Sequence, residues 1–218
     1  MEEACQSCPL CQGQAQIFKA YKRKTYFQCN ICQGIFLGKE FHLDSKAEKT
    51  IYDFHENDVE DQNYQNFVLS LVNGIMRDNN QLSIGLDYGC GPGPVITKLL
   101  EDNGYNVALY DPYYANHPEN LNHTYEFIVT SEVAEHFYNP GEEFTKLKAR
   151  LKPGGSLYVK TLRYTNAMNF DHWRYKNDPT HVFFYMAETF EWIRETIGFD
   201  SLTIYADYIR LSLDKAKK

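Results

Sequence analysis

No apolar run in this chain approaches the ~20 residues that a membrane-spanning helix needs. The opening MEEACQSCPLC has neither a basic segment nor an apolar stretch behind it, so no secretory leader is visible. Positive charge is also scarce: 22 Lys and Arg stand against 29 Asp and Glu, a formal net charge of −7. That balance works against bulk attraction to nucleic acid or to an anionic membrane surface. Internal repeats and low-complexity tracts are missing as well. These absences describe a soluble, cytoplasmic protein, and 218 residues suffice for one good core with a small appendage. Aromatic residues are abundant, with 17 Tyr and 14 Phe, which points to aromatic-lined pockets as well as core.

Four of the six cysteines fall into two pairs, Cys8-Pro-Leu-Cys11 and Cys29-Asn-Ile-Cys32, with seventeen residues between them. Each C-x-x-C turn offers two sulfurs from one tight loop, and two such turns close a tetrahedron around zinc. A redox disulfide motif comes singly and on a βαβ unit, so structural zinc on Cys8, Cys11, Cys29 and Cys32 is the expectation. Cys5 reads as a spare. Around the cysteines lie two β-rich pieces, QAQIFKAY and TYFQC, joined at the basic turn Lys22-Arg23-Lys24. Residues 1–42 thus outline a zinc ribbon, and the polar residues 43–61 read as a linker or lid.

Residues 62–218 form the third part. Tyr64, Phe67, Val68, Leu71, Val72, Ile75 and Met76 follow helical spacing. Strands SIGLDY, NVALYD, YEFIVTSE and SLYVKTL then alternate with helices VITKLLEDNG and GEEFTKLKARL, the latter stopping at Pro153-Gly154-Gly155. AETFEWIRETIG gives a last helix, and LTIYA and IRLSL follow too closely for a helical crossover, so they pair antiparallel. The fold class is α/β: a Rossmann-like, doubly wound, mostly parallel sheet with an antiparallel final strand, plus the small N-terminal ribbon.

The first strand of that series runs into LDYGCGPGPV, where Gly89, Gly91 and Gly93 read G-x-G-x-G. A strand, a glycine turn and a helix offer backbone N–H groups to a polar ligand. Dinucleotide sites use G-x-G-x-x-G, and Pro94 stands where the third glycine would be. Asp111, twenty residues after Gly91 at the end of the next strand, is placed to reach ribose hydroxyls. Together LDYGCGPG, the acid in ALYDPYY, SEVAEHF and LKPGG resemble the class I S-adenosylmethionine-dependent methyltransferases, over about residues 62–213.

The resemblance implies that Asp87, Gly89, Gly91 and Gly93 hold the methionine end of the cofactor and Asp111 its ribose. It implies that Thr130, Ser131 and Glu132 line the methyl-bearing side. Cys90 is then a small packing residue. The fourteen residues DPYYANHPENLNHT leave little room for the helix, strand and adenine-binding acid that the family places there, so a sheet edge is abbreviated.

Glu132, Glu135 and His136 stand at i, i+3 and i+4, one face if the segment is helical. The pattern is similar to that of the small-RNA 2′-O-methyltransferases and of ubiquinone-pathway O-methyltransferases. In the former a further His completes a magnesium site, and here His181 precedes FFYMAETFEWI. Glu132, Glu135, His136 and His181 are therefore the candidate second metal set, for magnesium; the plainer alternative is a cofactor contact with a local network. The long stretch before the last helix contains W-x-Y-x-x-D-P-T-H-V and resembles small bacterial methyltransferases acting on sugar- or lipid-linked metabolites. His181, and second His172, are the candidate general bases, with the aromatic residues around them as pocket walls.

The expected activity is methyl transfer to a small-molecule acceptor, by preference at a hydroxyl oxygen. The rivals are an RNA methyltransferase, disfavoured by the acidic balance, and a zinc-ribbon binding module whose methyltransferase domain is silent. Oligomeric state is not encoded in any motif.

Overall fold

The computed structural model describes residues 5–54 and 58–215. The chain starts with β1 (Gln6–Ser7), β2 (Gln14–Tyr21) and β3 (Lys24–Cys29), the last two forming a hairpin turned at Lys22, whose φ is +54°. β4 (Ile35–Leu37) follows the second cysteine pair, and all three of its residues are buried. The 43–61 segment holds more than a linker: α1 (Ser45–Tyr52) is a helix, and the Asp44 carboxylate caps it by accepting from the N–H groups of Lys46 and Ala47. Residues 55–57 of that segment, like 1–4 and 216–218 of the flanking parts, lie outside the described residues.

α2 (Gln62–Asp78) buries Val68, Leu71, Val72 and Ile75 as its periodicity predicts, although Phe67 is 44% exposed. There follow β5 (Ile84–Tyr88), α3 (Val95–Asp102), β6 (Asn106–Tyr110), β7 (Tyr125–Ser131), α4 (Pro140–Ala149) and β8 (Leu151–Lys160). The chain closes with β9 (Phe183–Phe184), α5 (Ala187–Trp192), β10 (Ser201–Ile204) and β11 (Ile209–Ser212). The expected helix 187–198 is divided: after Trp192 its last six residues wind as a π-helix.

The larger sheet has the order β10-β11-β8-β7-β5-β6. β6, β5, β7 and β8 are parallel, while β11 and β10 pair antiparallel, as the short connection between them requires. β6 is an edge strand, and the interval to β7 makes an antiparallel bridge between Asp111 and Ala115 and a 3-10 turn at Pro118–Asn122. LKPGG does not terminate a helix. α4 ends at Ala149, and these five residues already belong to β8, where the pairing slips between Tyr125↔Leu151 and Phe127↔Ser156. Gly154, at φ +82°, supplies the left-handed residue that this bulge needs.

The N-terminal sheet is not self-contained. Its sheet has the order β1-β2-β3-β4-β9, so the boundary expected at residue 42 is crossed by two residues from the far end of the chain. Ile35 pairs with Phe184 and Phe36 with Phe183. One buried cluster accordingly contains Cys8, Cys29, Cys32 and Phe36 together with Phe183, Tyr185, Phe144 and the strand residues Leu157 and Val159. No helix among the described residues is long and apolar enough to cross a membrane.

Candidate active site

A cavity of about 750 Å³ opens at the carboxyl ends of β5, β6 and β7, where open α/β sheets bind ligands. Its floor is the glycine turn. Gly89 has φ +81° and Gly91 φ +65°, and a Cβ on Gly89 would stand 2.6 Å from Val133. The turn is pinned from below. The Gly89 N–H donates to the Tyr110 carbonyl at 2.7 Å, and the Gly91 N–H donates to Asp111 Oδ2 at 3.0 Å. Asp111 Oδ1 accepts from the N–H groups of Tyr113 and Tyr114, so one carboxylate fixes both loops at this end. Asp87 is buried beneath them, accepts from the Thr97 hydroxyl at 2.8 Å, and is pushed up to about 7 by burial.

Gly89, Gly91, Gly93, Asp87, Asp111, Ser131 and Glu132 all line this cavity. Thr130 does not: it is fully buried within β7, because successive strand residues alternate faces. Cys90 lines the turn with its thiol pushed up by burial and by Asp87 and Asp111, so it is not activated as a nucleophile.

At the other end the E-V-A-E-H segment is not an α-helix. Glu132 sits at φ +54°, a left-handed conformation that costs a non-glycine residue on the order of 1 kcal/mol. Ala134–His136 then form a single 3-10 turn. The carboxylates of Glu132 and Glu135 nevertheless converge on the Tyr175 hydroxyl. Each glutamate is pushed up to about 7, by burial first and, for Glu132, by the charge of Glu135. Glu135 has no exposed surface, and its Oε2 has no hydrogen-bond partner among the described residues.

The two histidines are held alike. His136 Nδ1 lies 3.0 Å from the Thr180 carbonyl and His181 Nδ1 lies 2.8 Å from the Tyr175 carbonyl. A carbonyl only accepts, so both rings carry the proton on Nδ1 and leave Nε2 as the basic nitrogen. Burial also holds His136 below the usual imidazole range, and the rings meet edge to face at 4.8 Å. Glu135, His136 and His181 each present a ligand atom, all within 4.8 Å of one another; Glu132 is outside that cluster. His172 is exposed at the end of the 3-10 turn Phe170–His172 and is not among the residues lining the cavity. Of the long stretch before α5, Asp178 and His181 reach the cavity. Trp173, Phe170 and Tyr164 instead pack on Tyr26, Ile35 and Leu37 of the N-terminal sheet.

The wall between the two ends comes from residues that motif reading missed. Glu48 of α1 is buried and accepts from the hydroxyls of Tyr52 (3.0 Å), Tyr113 (3.2 Å) and Tyr138 (3.3 Å). The Asp44 cap could have marked the start of α1, but no local signal marks the role of Glu48. The lining is acidic throughout. Glu48, Asp87, Asp111, Glu132 and Asp178 present carboxylates, and Lys146, the one lysine or arginine among the described lining residues, is paired with Glu143 at 2.7 Å.

The four expected cysteines also come together. Cys8 Sγ is 3.6 Å from Cys32 Sγ, and Cys11 Sγ is 3.3 Å from Cys29 Sγ. All four ligand atoms fall within 4.8 Å. Sulfurs at ~2.3 Å from a tetrahedral zinc stand roughly 3.8 Å apart, so the donor set fits that ion. Each pair continues as Cys-Gln-Gly, with Gln12 and Gln33 both at φ +60° and donating back to the Cys8 and Cys29 carbonyls. That repeated CQG is a second signal the spacing argument left unused.

Residues 61–204, more than half of the chain, match a family described as a methyltransferase domain. The chain belongs to the methyltransferase-domain family. The cavity described above is the candidate active site of that domain. Solved structures agree on that fold. An O-methyltransferase family protein from Burkholderia thailandensis superposes with a TM-score of 0.54 at 12% identity, covering 82% of this chain and 63% of that one. Human N-acetylserotonin methyltransferase, solved with S-adenosylmethionine, gives 0.53 at 9% identity, covering 71% and 55%. A methyltransferase from Archaeoglobus fulgidus gives 0.51 at 16% identity, covering 64% and 71%. The methyltransferase thus spans less than two thirds of the first two proteins' lengths. No curated protein matches it by sequence.

Proposed function

We propose that this methyltransferase moves the methyl group of S-adenosylmethionine to a hydroxyl oxygen of a small acceptor, a sugar- or lipid-linked metabolite being the preferred class. The observation that carries the reading is the division of the cavity lining. A glycine cradle with Asp87 and Asp111 occupies one end, and His181, His136 and the tyrosine-bound Glu48 occupy the other. The cradle fits the cofactor: Gly89 and Gly91, both at positive φ, keep the turn flat against the cavity floor, and the Ser131 hydroxyl is buried without a partner among the described residues. Asp87, Gly89, Gly91 and Gly93 would hold its methionine end and Asp111 its ribose, while Ser131 and Glu132 face its reactive side. When bound, the cofactor supplies an electrophilic methyl group.

The acidic lining favours a cationic cofactor and a neutral or cationic acceptor, and it repels phosphates, which counts against the RNA alternative. His181 Nε2 takes the acceptor's proton, its tautomer fixed by the Tyr175 carbonyl. A second reading rests on the Glu135–His136–His181 cluster: two imidazole nitrogens and a carboxylate would hold a divalent cation, magnesium or manganese, which would supply Lewis-acid activation of the acceptor oxygen. Structural zinc belongs to Cys8, Cys11, Cys29 and Cys32, with residues 1–42 as the metal-binding part, the 43–61 segment lending Glu48 and Tyr52 to the cavity wall, and 62–218 as the catalytic part.

Calorimetry with S-adenosylhomocysteine and with NAD tests the cofactor assignment: micromolar-range binding of the first and none of the second is expected, and the reverse overturns it. Asp111→Ala should weaken S-adenosylhomocysteine by ~1–3 kcal/mol. Homocysteine-nucleoside release across a panel of hydroxylated and amino acceptors, with and without added Mg²⁺ after chelation, separates the base from the metal reading. Binding without turnover on any acceptor would favour the silent binding module.

A further inference from the structure

Val182 joins two parts of the chain that the sequence keeps far apart. Its N–H donates to the Glu135 carbonyl at 2.9 Å, and its own carbonyl accepts from the Leu37 N–H on β4 at 2.9 Å. His181 precedes it, and Phe183–Phe184, which follow it, are the edge strand of the four-cysteine sheet. β4 leaves directly from the second cysteine turn through Gly34, where a Cβ would stand 2.3 Å from the tip of the Phe183 ring. The Phe183 ring is fully buried in the cluster that contains Cys8, Cys29 and Cys32.

A second attachment lies on the other side of His181. The Tyr26 hydroxyl on β3 donates to the Lys176 carbonyl at 3.2 Å. The Lys176 ammonium is buried, donates to the carbonyls of Asp171 and Trp173 at 3.0 Å each, and lies 4.0 Å over the Tyr21 ring. Tyr175, whose carbonyl fixes the His181 tautomer, is therefore tied to the N-terminal sheet through its neighbour. The glycine cradle is held differently, by β5, β6 and Asp111 of the larger sheet.

Resting on the zinc and His181 assignments above, we propose that the four-cysteine sheet is the positioning element of His181, with Val182 and Phe183 as its positioning residues. Metal on the four thiolates keeps residues 175–186 in place, and the cradle stands without it. A two-residue edge strand contributes few ladder bonds of its own, so its order comes from the packing of Phe183 on the cysteine core. Metal bound by the four thiolates adds its binding free energy to that packing. Loss of the metal then releases the acceptor wall and leaves cofactor binding intact.

The test uses the full chain with two perturbations. In the first, zinc is stripped with a mercurial and chelator, and amide exchange is followed over residues 175–186 and 84–111 while calorimetry reads S-adenosylhomocysteine. Exchange in 175–186 should quicken at least ~10-fold, with 84–111 unchanged and affinity within about threefold. Unchanged exchange in 175–186, or equal loss in both segments, overturns the proposal. The second leaves the cysteines alone: Gly34→Val pushes on the Phe183 ring, and Phe183→Leu in that background makes room again. Gly34→Val should keep its metal content, lose the slowly exchanging His181 Nδ1–H signal in NMR spectra, and regain it in the double variant. A Gly34→Val protein with an unaltered His181 signal overturns the proposal whatever the metal content proves to be. Zinc-free protein as purified would sink the zinc assignment and with it the metal's part in the proposal, while the Gly34→Val comparison, which needs no metal, would still decide the positioning by Val182 and Phe183.

Discussion

Burial of Asp87 makes the fold sensitive to pH. The carboxyl's ordinary pKa is 3.8, and burial raises it to about 7 in the folded chain. Between about pH 4 and 7 the folded state holds a proton that the unfolded state has released, so stability falls as pH rises through that window. Above pH 7 the full cost of a buried charge is present until a cationic ligand offsets it. Asp87→Asn should therefore stabilise the ligand-free protein by on the order of 1–3 kcal/mol at pH 8 and change it little at pH 4, while weakening S-adenosylhomocysteine. Urea denaturation at the two pH values checks this; an equal gain at both would assign the effect to packing. His181→Ala should lower turnover by roughly 10²–10⁴ with S-adenosylhomocysteine affinity nearly unchanged, a split visible by pairing rate measurements with calorimetry. A fully active His181→Ala enzyme would leave this histidine as a wall of the cavity.

Among the elements, α2 sets two opposing effects against each other at Gly74. Replacing a mid-helix glycine by alanine gains up to ~1 kcal/mol in propensity. Here, however, the new Cβ would lie 2.3 Å from the Tyr208 hydroxyl oxygen on the neighbouring turn. Overpacking of that kind costs about 1–3 kcal/mol, so Gly74→Ala should be destabilising in urea, and a stabilised variant would show a looser helix–sheet approach. Elements of this kind, α2, α3 and the parallel strands, were legible because their periodicities are local. So were the glycine turn, Asp111 and the cysteine pairs, whose chemistry depends on spacing within one segment. β9 was not, because Phe183–Phe184 becomes a strand only through β4, and nothing local marks two residues as an edge. The same holds for Glu48: its role comes from Tyr113 and Tyr138, which the fold brings to it from elsewhere. LKPGG was misassigned to a helix end because proline and glycine punctuate bulges as readily as helix termini.

For the molecule as a whole, the four-cysteine cluster predicts one zinc per chain by elemental analysis of protein purified without chelator. Cys5→Ser and Cys90→Ser should leave that content unchanged, since Cys5 is exposed outside the cluster and Cys90 sits in the glycine turn. Less than one equivalent would mean that the sheet closes without metal. The late strand β9 also bears on synthesis. Tyr26 and its partner Lys176 are 150 residues apart, and the strand that completes the first sheet lies further still toward the carboxyl end. At ~5–20 residues per second the ribosome needs roughly 8–30 s to supply that partner, and the exit tunnel delays its emergence further. Throughout that interval the nascent amino-terminal sheet presents β4, a wholly apolar edge strand, to the cell. Early metal capture by the four thiols, or a chaperone shielding β4, would be required before the chain's own residues arrive to cover it.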